Sequence, residues 1–163
     1  MKKLSLIILL FSVFILSGFL FMDKSYFLCP VEYKNGIVVR SDGRGDGFFG
    51  AERSGRRLHN GIDLLAKVGT PVLASRSGRV IAAKQNRGMG KYVIIKHRHN
   101  ITTVYGHLSE ICIRKNARVR QGQVVGKVGR TGNARYAGIQ PHLHFEVKKR
   151  GVPQDPLDYL KRK

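Results

Sequence analysis

Four of the six histidines in this 163-residue chain lie in three short motifs that suit metal binding and proton transfer. His59 precedes Asp63 by four positions in HNGID, His107 lies in YGHL, and His142 and His144 form an H-x-H pair in PHLHFEV. Imidazole nitrogens and carboxylate oxygens bind zinc, and a neutral imidazole also accepts a proton near neutral pH. A lone histidine is often an ordinary surface or core residue, but four in such contexts favour a shared site.

The spacing of these residues predicts that they point towards one place. In an extended chain the side chains at positions i and i+2 lie on the same side, so His142 and His144 share one face of a strand. His59 and Asp63 are also an even number of positions apart, and Gly61 between them disfavours a helix. Two imidazole nitrogens and one carboxylate make a three-ligand site with a fourth position open for water, as in catalytic zinc centres. Such an ion keeps a positive net charge and can lower the pKa of bound water to roughly 7.

A second H-x-H pair, His97 and His99, competes with the first as a source of ligands. Its neighbours are Lys96, Arg98 and Asn100. The two adjacent cations disfavour a divalent ion, and Asn100 is typical of a turn. The sequence therefore predicts an exposed hairpin tip here and no metal site.

Composition and local pattern predict that an antiparallel, all-β domain positions these motifs. Apolar residues make up 42% of the chain and charged residues 25%, the balance of a folded globular protein, and 19 glycines accompany short apolar runs. Segments with period-2 or β-rich character alternate with turn-forming segments. These predicted strands are 71–75, 79–83, 91–96, 101–105, 124–128 and 144–148. The glycine- and charge-rich segment 41–57 is predicted to be a long loop approaching His59.

Residues 4–21 form 18 nearly unbroken apolar positions behind Lys2 and Lys3, the layout of a signal peptide or an N-terminal membrane anchor. The run is longer than a usual signal segment and has no clear cleavage pattern, which favours an uncleaved apolar helix. The two lysines would then stay in the cytoplasm with the domain outside the cytoplasmic membrane, and a secreted or periplasmic protein is the alternative. The predicted organisation is a signal anchor or signal peptide at 1–22, a short linker at 23–39 and one domain at 40–163.

The chain has two cysteines, Cys29 and Cys112. Both would lie in the exported part, where a disulfide can persist. The alternative is that Cys112, which lies between Ile111 and Ile113, is a small core residue. The sequence leaves both interpretations open.

The formal net charge is +20, and without Lys2 and Lys3 there are still 28 basic residues against 10 acidic ones. A domain of this charge is attracted to polyanions. Outside the cytoplasm these are anionic lipid headgroups and acidic envelope polymers. A nucleic-acid-binding β-barrel would use the same charge together with Tyr92 and Tyr105, but only in the cytoplasm. The predicted export therefore argues against nucleic acid as a partner.

The ordered motifs H-x-x-x-D, Y-G-H-L and P-H-L-H-F-E-V resemble those of the lysostaphin/LytM-like zinc metallopeptidases, which cut peptide crosslinks in bacterial peptidoglycan. Segments 69–72, 78–80, 122–126 and 132–133 also fall where that family has its turns and strands, so the resemblance covers about residues 40–160. It implies a compact antiparallel β-sandwich or barrel-like domain of the lysostaphin type, the duplicated hybrid motif. It also implies one Zn²⁺ per domain and a peptidoglycan peptide as substrate.

Carried over position by position, the resemblance implies that His59, Asp63 and His144 bind the zinc. It also implies that His142 acts as general base for a metal-bound water, or helps to polarise it, and that His107 supports the tetrahedral intermediate. Some members have a tyrosine six residues before the first ligand as an oxyanion donor, whereas this chain, like other members, has Arg53 there. Arg53 is thus predicted to contact the oxyanion or the substrate, with an ordinary surface arginine as the alternative.

The resemblance leaves two classes of function to weigh. Many members lack some of the ligands and act as non-catalytic wall-binding modules that activate other wall hydrolases. Every ligand position is filled here, so the sequence favours a zinc-dependent endopeptidase that hydrolyses peptidoglycan crosslinks. The bond that it cuts stays open between a crosslink of D-alanine to a diamino acid and a glycine-rich bridge.

Overall fold

The computed structural model of the chain describes residues 23, 26–53 and 57–160. The apolar run 4–21 and the apolar helix predicted there lie outside the described residues. Among the residues that are described, no helix is long and apolar enough to cross a membrane. The described residues form β-strands and two short 3₁₀ helices, Gly132–Arg135 and Pro156–Asp158. The strands are β1 (Ser41–Asp42), β2 (Gly45–Asp46), β3 (Glu52–Arg53), β4 (Arg57–Leu58), β5 (Ile62–Leu65), β6 (Pro71–Leu73), β7 (Gly78–Asn86), β8 (Gly90–Lys96), β9 (Ile101–Ile111), β10 (Arg118–Val119), β11 (Val124–Val128), β12 (His142–Lys149) and β13 (Val152–Gln154).

One large sheet dominates the fold, and every pair of its neighbouring strands is antiparallel. Its strands follow the order β10-β7-β8-β9-β11-β6, while β12 pairs with β9, β5 and β13. Two short antiparallel pairs of strands, β1-β2 and β3-β4, lie in or at the end of the segment 41–57 that was predicted to be a long loop. The prediction of an antiparallel, all-β domain of the lysostaphin type is confirmed.

Each of the six predicted strand segments overlaps an observed strand, and the main differences concern length and short strands. Strand β9 continues six residues beyond the predicted end at position 105. Strand β5 was not predicted because its first three residues are all buried, so its sequence shows no alternation. Strands β10 and β13 have two and three residues, which is too short for a period to appear.

The core lies on one face of β12 and its neighbours. Leu143, Phe145 and Val147 are fully buried on that face, and Phe145 lies opposite Tyr105 of β9 and Ile62 of β5. The rings of Phe145 and Tyr105 are 5.4 Å apart between centroids. Because side chains alternate along a strand, the intervening residues of β12 must point to the other face, where the candidate site lies.

The described part of the segment predicted to be a linker, 23–39, packs against the domain. Phe27 and Val31 are buried in the core, and Phe27 forms a parallel bridge with Leu160 near the other end of the chain. Both cysteines are unbonded; Cys29 is partly buried, whereas Cys112 is exposed. The interpretation of Cys112 as a core residue is therefore wrong.

The second H-x-H pair is divided by the fold. Positions 98–100 form an exposed turn, and His99 has a positive φ of 57°. His97, in contrast, is buried, with Nδ1 2.9 Å from the carbonyl oxygen of Ser77 and Nε2 2.7 Å from Thr103 Oγ1. The prediction of an exposed tip is right for His99 and wrong for His97, which is a hydrogen-bonded core residue.

Candidate metal centre

The side chains of His59, Asp63 and His144 converge on one point. His59 Nε2 lies 3.0 Å from His144 Nδ1 and 3.1 Å from Asp63 Oδ1, and His144 Nδ1 lies 2.9 Å from Asp63 Oδ1. All three residues are buried, and among the described residues they form the group of histidines, cysteines and carboxylates able to hold a metal ion. Three donor atoms therefore form a nearly equilateral triangle.

Strand pairing brings these three residues together. Asp63 of β5 is the direct partner of His144 of β12 in the antiparallel register, so their side chains lie on the same face. His59 enters this face just before β5 begins. Gly61 permits the close approach, because a Cβ at that position would lie 2.3 Å from the carbonyl oxygen of Phe145.

The hydrogen bonds around the two histidines show that the donor set fits a zinc ion. His59 Nδ1 lies 2.8 Å from the carbonyl oxygen of Phe48, which can only accept, so the proton is on Nδ1 and Nε2 presents a lone pair. His144 Nε2 lies 3.0 Å from Glu146 Oε1, so this nitrogen donates to the carboxylate. In the metal-free protein, where the pKa of His144 is raised to about 9, Nδ1 also carries a proton and donates it to Asp63 Oδ1 at 2.9 Å. Once that proton is lost, the lone pairs of His59 Nε2 and His144 Nδ1 and the carboxylate oxygen of Asp63 face one another, which suits a cation between them. Two nitrogens and one oxygen are typical protein ligands of a catalytic zinc.

Glu146 also belongs to this site, although its position in the PHLHFEV motif did not by itself predict a role for it. It accepts the hydrogen bond of His144 and also pairs with Lys148 Nζ at 2.8 Å. The signal was present, because His142, His144 and Glu146 occupy positions i, i+2 and i+4 of one strand and so share a face. A carboxylate in that position fixes the tautomer of the histidine and raises its basicity.

Two arginines hold the second oxygen of Asp63. The guanidinium of Arg40 donates to Oδ2 through Nη2 at 3.0 Å and Nε at 3.3 Å, and Arg53 Nη2 lies 3.3 Å from the same oxygen. Arg40 is buried and pairs in turn with Asp42 at 2.6 Å. Oδ2 is therefore occupied, and Oδ1 is the oxygen left for a metal. Arg53, predicted as an oxyanion or substrate contact, lines the cleft, and its Nη2 donates a hydrogen bond to Asp63.

His142 and His107 lie beside the triangle with their rings 5.0 Å apart between centroids. His142 Nδ1 is 2.7 Å from the carbonyl oxygen of Gln140, and His107 Nδ1 is 2.9 Å from that of Thr131. Each Nδ1 therefore carries the proton, and each Nε2 is a hydrogen-bond acceptor. His142 Nε2 lies 3.8 Å from Asp63 Oδ1. The five residues predicted to form the zinc site thus lie in one cluster.

A bulge in β9 places His107. The register with β8 moves from Lys91 opposite Leu108 to Val93 opposite Tyr105, so one residue of β8 faces two of β9. His107 has a φ of 61°, in the left-handed region that residues other than glycine rarely adopt. Bulges of this kind redirect a side chain next to a site. The sequence indicated that His107 belongs to a motif, but not that the strand bends there.

Burial and charge set the protonation of His107, His142, His144 and Asp63 in the metal-free protein. Burial lowers the pKa of His144, but hydrogen bonds to Asp63 and Glu146 outweigh it and raise the pKa to about 9. Burial acts to raise the pKa of Asp63, but hydrogen bonds from His144 and His59 hold it well below its usual range. Burial, together with the charges of His144 and His142, lowers the pKa of His107 to about 3. Burial also lowers the pKa of His142, so His107 and His142 are neutral at neutral pH.

The site lies in an open cleft of about 740 Å³. Its lining includes Arg40, Arg44, Arg53, Arg57, Met89 and the segment from Asn133 to Ile139. Arg44, in the turn between β1 and β2, donates to the carbonyl oxygen of Ala137 at 3.2 Å and so joins the first hairpin to that segment. Such a cleft admits an extended chain, and the cluster of histidines lies on its floor. The arrangement suits hydrolysis assisted by a metal ion and a neutral histidine base.

Comparison with curated proteins identifies relatives from the bacterial envelope. The chain is 39% identical over 116 residues to the lipoprotein NlpD/LppB homolog of Pseudomonas aeruginosa, which is 71% of this chain and 37% of that protein. It is 42% identical over 99 residues to the peptidoglycan DD-endopeptidase ShyA of Vibrio cholerae, which is 61% of this chain and 22% of that protein. The aligned region thus spans little more than a third of the first relative and about a fifth of the second.

Solved structures share the fold. The SpoIIQ-SpoIIIAH pore-forming complex matches with a TM-score of 0.69 and 28% identity, covering 83% of this chain and 91% of that one. A zinc-containing peptidase from Vibrio cholerae matches with a TM-score of 0.65 and 30% identity, covering 80% of this chain and 39% of that one. The catalytic domain of lysostaphin from Staphylococcus simulans matches with a TM-score of 0.59 and 29% identity, covering 73% of this chain and 90% of that one. The resemblance to the lysostaphin/LytM-like enzymes is confirmed.

One family model accounts for most of the folded part of the chain. The model of Peptidase family M23 matches residues 57–156, from the strand before His59 to the last 3₁₀ helix. This match covers more than half of the sequence, so the chain belongs to peptidase family M23, a family of zinc metallopeptidases.

Proposed function

We propose that this chain is a zinc-dependent endopeptidase that hydrolyses peptide crosslinks of bacterial peptidoglycan. The convergence of His59, Asp63 and His144, with two neutral histidines beside them in an open cleft, carries the proposal. The relative named as a peptidoglycan DD-endopeptidase supports the substrate class. The envelope relatives also support a position outside the cytoplasm, and residues 4–21 are proposed to anchor the domain 40–163 in the membrane.

His59 Nε2, Asp63 Oδ1 and His144 Nδ1 are the proposed zinc ligands. When bound, zinc supplies a Lewis acid that polarises the scissile carbonyl and makes water more acidic. Phe48 and Glu146 orient the two imidazoles through their hydrogen bonds.

His142 is the proposed general base. Its Nδ1–H is held by the carbonyl of Gln140, so Nε2 is directed into the site as the proton acceptor. The imidazolium that forms lies 3.8 Å from Asp63 Oδ1, and this carboxylate stabilises its charge. The same group can then return the proton to the leaving amine.

His107 is the proposed support of the tetrahedral intermediate. In its resting tautomer Nε2 accepts a hydrogen bond, so it can orient the attacking water. It can donate to a developing oxyanion only while it carries a second proton; His142 is the neighbour that can supply this proton, which must return to His142 before the amine leaves. Arg53 is the second cationic group proposed to lie near the substrate.

The experiment is digestion of purified crosslinked peptidoglycan, with mass spectrometry of the released muropeptides. His142→Ala should lower the rate by roughly 10²- to 10⁴-fold and leave zinc content unchanged. The control is His99→Asn, which replaces an exposed histidine in a left-handed turn by a residue that tolerates that conformation. Full activity of His142→Ala would remove His142 from the scheme, and the muropeptide masses identify the bond that is cut.

A second candidate function is a non-catalytic module that binds the wall and activates other hydrolases. The similarity to SpoIIQ, which was solved in a complex with SpoIIIAH, favours this candidate because it shows the fold engaged with a protein partner. The complete donor triangle favours the enzyme. A purified protein that holds no zinc and releases no muropeptides would establish the second candidate.

A further inference from the structure

We propose that one end of the large sheet docks on the headgroups of an anionic lipid bilayer and holds the cleft at a set distance from the membrane. We call this surface the basic end and define it by Arg79, Lys96 and Arg118. The proposal rests on the expectation that residues 4–21 cross a membrane. It does not depend on whether the site hydrolyses peptidoglycan.

The three cations of the basic end form a row across adjacent strands. Arg118 of β10 lies opposite Arg79 of β7, and Arg79 lies opposite Lys96 of β8. Directly opposed residues point to the same face, and all three are exposed. None of their side chains has a hydrogen-bond or ion-pair partner among residues 23, 26–53 and 57–160. Like charges directly opposite one another destabilise a sheet, so folding does not account for this row.

The surrounding sequence offers these cations no neutralising partner either. The 46 residues from Leu64 to Ser109 contain eight lysines and arginines and no aspartate or glutamate. Glu146, on the same face, is already taken by His144 and Lys148. The basic end therefore presents uncompensated positive charge, which is complementary to phosphate headgroups.

The chain leaves the described structure at this same end. Asp23 Oδ2 accepts a hydrogen bond from the backbone N–H of Ser77 at 2.9 Å, two residues before Arg79. The apolar run ends at residue 21, and two residues span at most about 7 Å. The headgroup layer is roughly 5–8 Å thick on each side of the hydrocarbon. A bilayer that holds residues 4–21 must therefore lie within about one Debye length, 8–10 Å, of the basic end.

The position of the row in the sheet also sets the distance between the docked membrane surface and the candidate metal site. Lys96 lies opposite Thr102 of β9, and Thr102 lies opposite Lys148 of β12. His144 is four residues from Lys148 on the same strand and the same face, which is about 13 Å at roughly 3.3 Å per residue. Docking through the basic end would direct the cleft towards peptides in the layer next to the membrane.

The test uses the full chain reconstituted in vesicles of phosphatidylcholine with or without phosphatidylglycerol. An environment-sensitive fluorophore is attached at Arg98→Cys, in the exposed turn after Lys96, in a background with Cys29→Ser and Cys112→Ser. Phosphatidylglycerol should shift the emission and allow quenching by nitroxide-labelled lipid, and high salt should reverse both effects.

The variant Arg79→Thr/Lys96→Thr should lower the docking constant about 25-fold, from roughly fivefold for each cation near an anionic surface. Its melting temperature should not fall, because the change removes opposed like charges. The matched control Lys67→Thr/Arg87→Thr removes two exposed cations near the opposite end of the sheet and should dock as the parent does.

Equal quenching in both kinds of vesicle, or equal loss in the two double variants, would overturn the proposal. An emission shift caused by soluble polyphosphate but not by phosphatidylglycerol would also overturn it and assign the surface to a soluble polyanion. Both double variants should cleave crosslinked muropeptides at the parent rate. Failure of all proteins in that assay would refute the proposed hydrolysis and leave the docking result intact.

Discussion

Replacing Glu146 is expected to weaken zinc binding without altering a proposed ligand. Its Oε1 accepts the hydrogen bond of His144 Nε2 at 3.0 Å, and its side chain is only 9% exposed. Glu146→Ala removes the acceptor that keeps the lone pair of His144 on Nδ1. Glu146→Gln keeps a neutral acceptor in the same place and removes the charge.

The two variants should differ in size of effect. Loss of a hydrogen-bond partner of a metal-binding histidine lowers metal affinity about 10- to 100-fold, which is about 1.4–2.7 kcal/mol. A hydrogen bond to a charged acceptor is roughly twice as strong as a neutral one. In Glu146→Gln the amide oxygen should therefore retain about half of the contribution that this hydrogen bond makes to zinc binding. The zinc affinity of this variant should fall about 3- to 10-fold. Lys148, which loses its partner, is 31% exposed and can turn towards water.

Competition with a chromophoric zinc chelator near neutral pH measures these affinities. Glu110→Gln is the matched control, because it makes the same change of charge at an exposed carboxylate that pairs with Lys127 at 2.8 Å. It should bind zinc as the parent does. The reasoning is refuted if folded Glu146→Ala binds zinc within a factor of two of the parent. Equal weakening in Glu110→Gln would assign the effect to net charge alone.

Three further predictions concern catalysis, pH and packing. His107→Gln should lower the rate of muropeptide release by about 10²-fold or more with zinc content unchanged; an unchanged rate would leave His107 without a role. Burial lowers the pKa of His97, so below its ordinary value of 6.5 the unfolded chain binds a proton that the folded chain does not. The urea midpoint should therefore fall as the pH drops through 6.5, and fall less in His97→Gln; parallel profiles would contradict this. Gly61→Ala should destabilise the fold by about 1–3 kcal/mol in urea unfolding and lower zinc content, because its Cβ would meet the carbonyl of Phe145; a neutral result would show that β5 can shift.

The sequence predicted those parts of the site that follow from strand periodicity. Strand β12 is regular over its whole length, so the even spacing of His142 and His144 is enough to place both on one face. The same alternation extends to Glu146, which lies two positions after His144 in the PHLHFEV motif. The pairing of Asp63 with His144 is different, since it depends on a register between β5 and β12 that spans 81 positions of sequence.

The sequence could not predict features that arise from irregular or distant backbone. The left-handed conformation of His107 depends on pairing with two neighbouring strands, and nothing in YGHL marks it. Arg40 reaches Asp63 from 23 positions away through a buried contact, and a single arginine in a loop has no periodic signal. Similarly, His97 reads as part of a basic turn, although its ring is buried between Ser77 and Thr103.

Three of the site histidines are held in the same way, by a backbone carbonyl that receives Nδ1–H. The carbonyls belong to Phe48, Gln140 and Thr131. Every amino acid carries a carbonyl, so the tautomer of each histidine is insensitive to which side chain occupies those three positions. Substitution at those three positions is therefore compatible with the same tautomers at the centre, provided that the backbone stays in place. His144 is the exception, because its partner is the side chain of Glu146, and a change there reaches the metal site directly.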